Sequence, residues 1–187
     1  MRERELILGG QKSGKSRRAE LRAAAWMAAS PSHAAVLIAT ARPWDGEMRE
    51  RIARHRADRL QRAPGLRTVE EPLALAGAIA AHSAPEVLVA VDCLTLWLTN
   101  LLMPADDAHP CGVAPEAAVD ALAEALADAR GPVVLVGNEI GLGVIPMGRE
   151  VRAFVDALGR LNQSVAAVCD RVTLMVAGLP LTLKEPG

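Results

Sequence analysis

Residues 9–20 read GGQKSGKSRRAE, directly behind the apolar triplet Leu6-Ile7-Leu8. Gly9, Gly14, Lys15 and Ser16 occupy the fixed positions of the pattern G-x-x-x-x-G-K-S. A strand that breaks into such a loop and re-enters a helix turns successive backbone N–H groups inward, where they cradle phosphate oxygens. Lys15 adds a positive charge near the β and γ phosphates, and the Ser16 hydroxyl is placed to ligate Mg²⁺. The flanks agree, since Arg17-Arg18-Ala19-Glu20-Leu21 are good helix formers. A chance glycine-rich turn is the competing reading, and it accounts for neither flank. The stretch predicts a nucleoside triphosphate site, which ATPases, GTP switches and kinases of small molecules all share.

Working outward, short β-rich runs alternate with longer helical patterns along the whole chain. Strands are expected at Glu5–Leu8, Ala35–Thr40, Leu66–Glu70, Val87–Asp92, Val133–Gly137 and Val172–Ala177, with a further one at Leu181–Lys184. Helices are expected at Lys15–Ala29, Asp45–Gln61, Pro72–His82, Pro115–Ala129 and Arg149–Cys169. That alternation predicts an α/β fold, a mostly parallel sheet flanked by helices. Pro31, Pro64-Gly65, Pro85, Pro104, Pro110 and Gly131-Pro132 punctuate the units. The segment Pro104 to Ala114, PADDAHPCGVA, lacks periodicity and is the expected loop. With 187 residues, no internal repeat and no linker, one domain spanning residues 1–187 is the expected organisation.

Composition narrows the partners. A formal net charge of -1 offers no global basic field for nucleic acid. Hydrophobic residues make up 51% of the chain, much of it alanine, and no apolar run reaches the length of a membrane span. Cys93, Cys111 and Cys169 are widely separated, which suggests reduced thiols and neither a disulfide framework nor a zinc site. The charged start MRERELILGG leads straight into the first strand without a signal-peptide pattern, so the cytoplasm is the expected compartment.

Four further regions carry chemistry. Val87-Leu88-Val89-Ala90-Val91-Asp92 places a carboxylate at the end of an apolar strand, at the edge where open α/β sheets bind ligands; it suits Mg²⁺ coordination, with a plain helix cap as the alternative. In DGEMRERIARHRADR, Glu47, Arg51, His55 and Arg59 recur every four residues and form one polar row, with Met48 and Ile52 on an adjoining buried side. A solvated face of charge pairs is the ordinary reading, but Arg51, Arg54, Arg56 and Arg59 crowd one imidazole and would draw in a phosphate chain. Glu70-Glu71-Pro72 ends the third strand and offers carboxylates to a ribose hydroxyl, a guanine N–H, a metal or a helix cap. Asn138-Glu139-Ile140-Gly141-Leu142-Gly143 follows the fifth strand, as a ligand-approaching loop or a flexible crossover. His33, His82 and His109 read as surface residues, and no N-K-x-D guanine-reading motif occurs.

In order and spacing, LILGGQKSGKSRRAE, LIATA, GEMRERIARHR, RTVEEP, VDCLTLWLTNLL, VLVGNEIGLGVIP and GRLNQSVAAVCDRVTLMVAGLPLTLK resemble one family. It is the bifunctional adenosylcobinamide kinase and adenosylcobinamide-phosphate guanylyltransferase family of cobalamin assembly. The resemblance implies a P-loop NTPase fold of RecA-like type, assembled as a homotrimer. It implies phosphorylation of adenosylcobinamide, a corrinoid, by ATP or GTP, then transfer of GMP from GTP to give adenosylcobinamide-GDP and pyrophosphate. The second step in that family passes through a guanylyl-histidine, and the matching residue is His55. Nucleotide contacts implied by the match are Gly9, Gly10, Gln11, Lys12, Ser13, Gly14, Lys15, Ser16, Ala39, Thr40, Ala41, Arg56, Ala57, Asp58, Arg59, Glu70 and Asp92. Where the family carries two adjacent histidines this chain has Arg54-His55, which leaves one candidate nucleophile. Lys12 stands where arginine is common and Leu8 where threonine often precedes the glycines; neither change removes a group that the phosphate cradle needs. Trp44 and Trp97 offer flat surfaces to a large ligand or to the core. The alternative of a different kind is a P-loop NTPase or nucleotide-sensing module without group transfer.

Overall fold

The computed structural model describes residues 3–103 and 114–186. The expected loop at 104–113, with His109 and Cys111, lies outside the described residues. Along the chain run β1 (Arg4–Gly9), α1 (Lys15–Ala29), β2 (Ala34–Ala39), α2 (Gly46–Arg62), β3 (Arg67–Glu70) and α3 (Leu75–His82). They are followed by β4 (Val87–Asp92), α4 (Leu94–Leu102), α5 (Pro115–Asp128), β5 (Val133–Val136), α6 (Arg149–Val168), β6 (Arg171–Val176) and β7 (Leu179–Lys184).

The strands form one seven-stranded sheet in the order β3-β2-β4-β5-β1-β6-β7. Every pairing is parallel except β6 with β7, which is antiparallel. Strands covered by helices on both faces must be apolar throughout, which is why β4 reads VLVAVD and β5 VVLV without alternation. Successive side chains still point to opposite faces. Leu6, Leu8, Val89, Val91, Val133 and Leu135 meet residues of α3, α4, α5 and α6, whereas Ile7, Leu88, Ala90, Val134 and Val136 meet Ala19 and Ala23 of α1. The alanine-rich face of α1 lets that helix lie close to the sheet, and so fixes the loop that precedes it.

Two expectations are corrected here. Leu94–Leu102 is a helix that the sequence pattern did not suggest, with Leu94, Thr95, Trp97, Leu98, Asn100 and Leu101 all buried. Each such leucine contributes about 1.5–3 kcal/mol on burial. Met48 and Ile52 do not form a buried side of α2: both are only half-buried, and the buried residue of that helix is Arg59. The polar row is therefore the packed row in its last turns. Smaller differences lie at the ends. The third helix begins at Leu75 and not Pro72; ahead of it the Glu71 carboxylate accepts from the N–H groups of Leu73 and Ala74 in a turn that leads into the helix. The last strand begins at Leu179.

The parallel strands deliver their carboxyl ends to one edge. Glu70 is paired with Ala39, Ala39 with Asp92, Asp92 with Val136, and Val136 with Ile7, a single row across β3, β2, β4, β5 and β1. Asp92, Glu70, Ala39 and the phosphate loop lie in this row or just beyond it, while the α2 candidates reach it from the side.

Candidate active site

The loop between β1 and α1 is held by backbone geometry that glycine alone allows at two points. Gly9 has φ of 151°, and a Cβ there would lie 2.5 Å from the Met175 carbonyl oxygen and 2.6 Å from Ser13 Oγ. Gly14, with φ of 100°, precedes the first residue of α1 and faces Gly178. The turn between β6 and β7 braces the loop from behind, where the Gly178 N–H donates to the Ser13 carbonyl at 3.1 Å. Gly10, Gln11 and Lys12 are exposed, while Ser13 is buried with a hydroxyl that has no partner among the described residues. Lys15 is buried too, and its Nζ donates to the Gly10 carbonyl at 2.6 Å across the loop it encloses.

Asp92 reaches this loop from β4, with Oδ1 3.4 Å from Ser16 Oγ. A hydroxyl and a carboxylate so placed form the oxygen-rich pair that a hard divalent cation prefers. Thr40, fully buried after β2, accepts from the Cys93 N–H at 2.9 Å and donates to the Cys93 carbonyl at 2.8 Å. Asn100 of α4 donates to the carbonyls of Thr40 and Pro72. Thr40 thus pins the backbone just after Asp92 and Asn100 in turn holds the Thr40 carbonyl, a part for Asn100 that no sequence pattern signalled. Its environment, an apolar helix without periodicity, hid it.

α2 crosses this edge. Asp45 caps its start by accepting from the Met48 N–H at 2.7 Å. Its C-terminal half is stitched to α1 and β3: Arg59 donates to Thr68 Oγ1 at 2.9 Å and lies 3.8 Å from Glu20, while Arg62 reaches Glu20 and Asp58, each at 2.9 Å. Glu20 is buried, and those two guanidinium groups are its ionic partners. The pKa of Lys15 is pulled below the usual lysine range by burial first and by Arg51 as well, against the opposing pull of Asp92. Burial likewise lowers Arg59, against Asp92 and Glu20. Arg51 is thus within electrostatic reach of Lys15, and Arg59 of Asp92. His55 lies between them on the same helical row, half-buried.

Arg56 is exposed and pairs with Glu70 at the end of β3. Ala57 is exposed, Ala39 and Ala41 are half-buried, and Asp58 is committed to Arg62. Trp97 is in the core, with Nε1 donating to the Leu73 carbonyl, whereas Trp44 stays exposed with Arg42 5.5 Å above its ring. His33 stacks on Trp26, and His82 lies 3.3 Å from Arg67, both away from the loop residues described above. Cys93 and Cys169 are free and buried. No cluster of three or more His, Cys, Asp or Glu suited to a metal occurs among the described residues, nor any helix long and apolar enough to cross a membrane.

Sheet, loop and strand-end carboxylate together define a P-loop nucleotide-binding protein. The fold resembles that of the flagellar accessory protein FlaH from Methanocaldococcus jannaschii, with a TM-score of 0.53 at 9% identity over 98% of this chain and 79% of that one. Residues 5–183 match the family model of cobinamide kinase / cobinamide phosphate guanyltransferase. The bifunctional adenosylcobalamin biosynthesis protein CobP of Pseudomonas aeruginosa is 48% identical, covering 98% of this chain and 99% of the relative. The bifunctional adenosylcobalamin biosynthesis protein CobU of Escherichia coli K12 is 36% identical over 96% of this chain and 98% of its own. The chain belongs to the cobinamide kinase / cobinamide phosphate guanyltransferase family, and is an enzyme with that family's kinase and guanylyltransferase activities.

Proposed function

We propose that the phosphate loop, Asp92 and the polar row of α2 form one nucleotide site that serves both activities in turn, in a single domain of 187 residues. In the kinase step Gly9 through Ser16 hold the triphosphate of ATP or GTP, and the γ-phosphoryl group passes to the hydroxyl of adenosylcobinamide. Catalysis there is positioning and charge neutralisation, which Lys15 and the inward N–H groups supply. Ser16 and Asp92 would hold Mg²⁺, which when bound supplies further neutralisation of the phosphate charge.

In the guanylyl step an imidazole nitrogen of His55 attacks the α-phosphorus of GTP. The bond to the bridging oxygen breaks, pyrophosphate departs with that electron pair, and GMP remains on His55 as a phosphoramidate. A phosphate oxygen of adenosylcobinamide phosphate then displaces the imidazole and gives adenosylcobinamide-GDP. Two such steps replace one direct encounter between anions. Arg56 and Arg59 provide positive charge along the path, and Ala39, Thr40, Ala41, Ala57, Asp58 and Glu70 border the nucleoside.

What supports this reading is that α2, the helix of His55, is tied to the strand edge and to the helix behind the phosphate loop: Arg56 pairs with Glu70 at the end of β3, Arg59 donates to Thr68, and Arg59 and Arg62 reach Glu20 of α1. Cytoplasmic operation as a homotrimer completes the proposal. Incubation with [α-³²P]GTP should leave acid-labile, alkali-stable label on the protein, and the His55→Ala variant should carry none. Equal labelling of wild type and variant would sink the assignment.

A further inference from the structure

The two-step scheme leaves one proton unassigned. As the acceptor hydroxyl attacks the γ-phosphorus it must lose a proton, and His55 serves the other reaction. Among the carboxylates at the sheet edge, Asp92 lies against Ser16, Glu70 is paired with Arg56, and Glu71 accepts from the Leu73 and Ala74 N–H groups ahead of α3. Glu139 is free of any cationic partner among the described residues, and its place is unusual. It leaves β5, the strand between β4 with Asp92 and β1 with the phosphate loop, and its N–H donates to the Gly9 carbonyl at 3.2 Å.

Its carboxylate is held in place. Oε1 accepts from the Gly141 N–H at 2.8 Å, and Oε2 lies 3.4 Å from Nδ2 of Asn162, a buried residue of α6 that also donates to the Asn138 carbonyl. The backbone before it is fixed as well, because the Asn138 N–H donates to Thr95 Oγ1 at 2.9 Å. A side chain wanted only for a turn does not need a buried amide spent on its second oxygen. Beyond Glu139 the chain exposes a run of large apolar side chains, with Val144 and Met147 each 96% exposed. That surface suits an acceptor with a large apolar body, and places such an acceptor on the Glu139 side of the loop.

Resting on the phosphate-loop assignment above, we propose that Glu139 is the general base of the phosphorylation step. Its carboxylate takes the hydroxyl proton of the corrinoid acceptor as that oxygen bonds to the γ-phosphorus. The bond from the γ-phosphorus to the β,γ-bridging oxygen breaks, and the electron pair leaves with the nucleoside diphosphate. Asn162 is the positioning residue that holds the carboxylate beside the strand end whose backbone touches the loop at Gly9.

The test separates the two reactions of the intact enzyme. Glu139→Gln keeps an acceptor oxygen for Gly141 but is not basic, so phosphorylation of adenosylcobinamide should fall by about 10²–10⁴-fold. GMP transfer to ready-made adenosylcobinamide phosphate, which has no hydroxyl proton to remove, should persist and also reports that the variant is folded. In Glu139→Ala, added formate should restore phosphorylation in a concentration-dependent way, which a merely structural role would not allow. A Glu139→Gln enzyme with the wild-type kinase rate, or one that loses both reactions in proportion, would overturn the proposal. A Lys15→Ala enzyme that still phosphorylates would instead refute the phosphate-loop assignment on which it rests.

Discussion

Cys93 follows Asp92 directly, yet its chemistry is suppressed by where it sits. Burial pushes its thiol up to about 11, with the Asp92 carboxylate adding to the rise. Cys169, buried at the end of α6, is pushed up to about 12 by burial as well. The thiolate is the reactive form, so at about pH 8 neither side chain should present it. Treatment of the native enzyme with iodoacetamide, followed by peptide mass mapping, should leave Cys93 and Cys169 unmodified, and both should react once urea unfolds the chain. Rapid native labelling of Cys93 would mean that the floor of the site, where Thr40 grips the Cys93 backbone, opens far more readily than this packing permits. At the residue scale, both thiols are sealed, while His55, the proposed nucleophile, is half-buried.

Between elements, the start of β1 is tied to the start of β6 by one ion pair. Arg4 donates to Asp170 from Nε and Nη2, each at 3.1 Å, and from its backbone N–H at 2.8 Å. The Arg4 hydrogen bond is the main reason the Asp170 pKa lies below its ordinary value. A depressed carboxylate contributes stability that is fully present above its unfolded pKa of about 3.9 and is lost as pH falls through the folded value. Asp170→Asn should therefore cost about 1 kcal/mol near pH 7, and the gap to wild type should close as pH falls through and below the ordinary carboxylate range. Urea unfolding at neutral and acid pH measures it; a gap that persists in acid would assign the loss to packing and not to charge. The same scale shows what the sequence could disclose. Apolar strands ending in GGQKSGKS, VD and VE announced themselves, because buried parallel strands have no polar face and phosphate loops have a fixed spacing. α4 did not, because LTLWLTNLL is enclosed on nearly all sides and leaves no period to read. Nor could spacing say that the packed face of α2 runs through Arg59, since that depends on a buried Glu20 presented by another helix. The tie of α2 to the end of β3, through Arg56 and Glu70, is tertiary for the same reason.

Taken as a whole molecule, the sheet ends on a strand whose outer edge has no partner among the described residues, and that strand is β7. Leu179, Leu181 and Leu183 alternate along it and share one face, at 71%, 54% and 56% exposure. Leu181 pairs across from Leu174 and Leu179 from Val176, so the row extends the apolar surface of β6 beyond the cover of α6. An unprotected edge strand with a leucine row invites association and is seldom left open by a stable monomer. Contact between copies of the chain, as in the proposed homotrimer, would answer that exposure. The turn that joins β6 to β7 also donates the Gly178 N–H to Ser13, so whatever covers β7 steadies the phosphate loop from behind. Leu181→Lys should then act twice. Placing an ammonium in the row opposes burial of leucines worth about 1.5–3 kcal/mol each, so light scattering on a sizing column should show a shift to smaller species, increasing on dilution. Nucleotide affinity should weaken in the same variant although no nucleotide contact has been touched. A variant that keeps the wild-type mass would remove β7 from the assembly interface, and one that dissociates with unchanged nucleotide affinity would uncouple that interface from the loop.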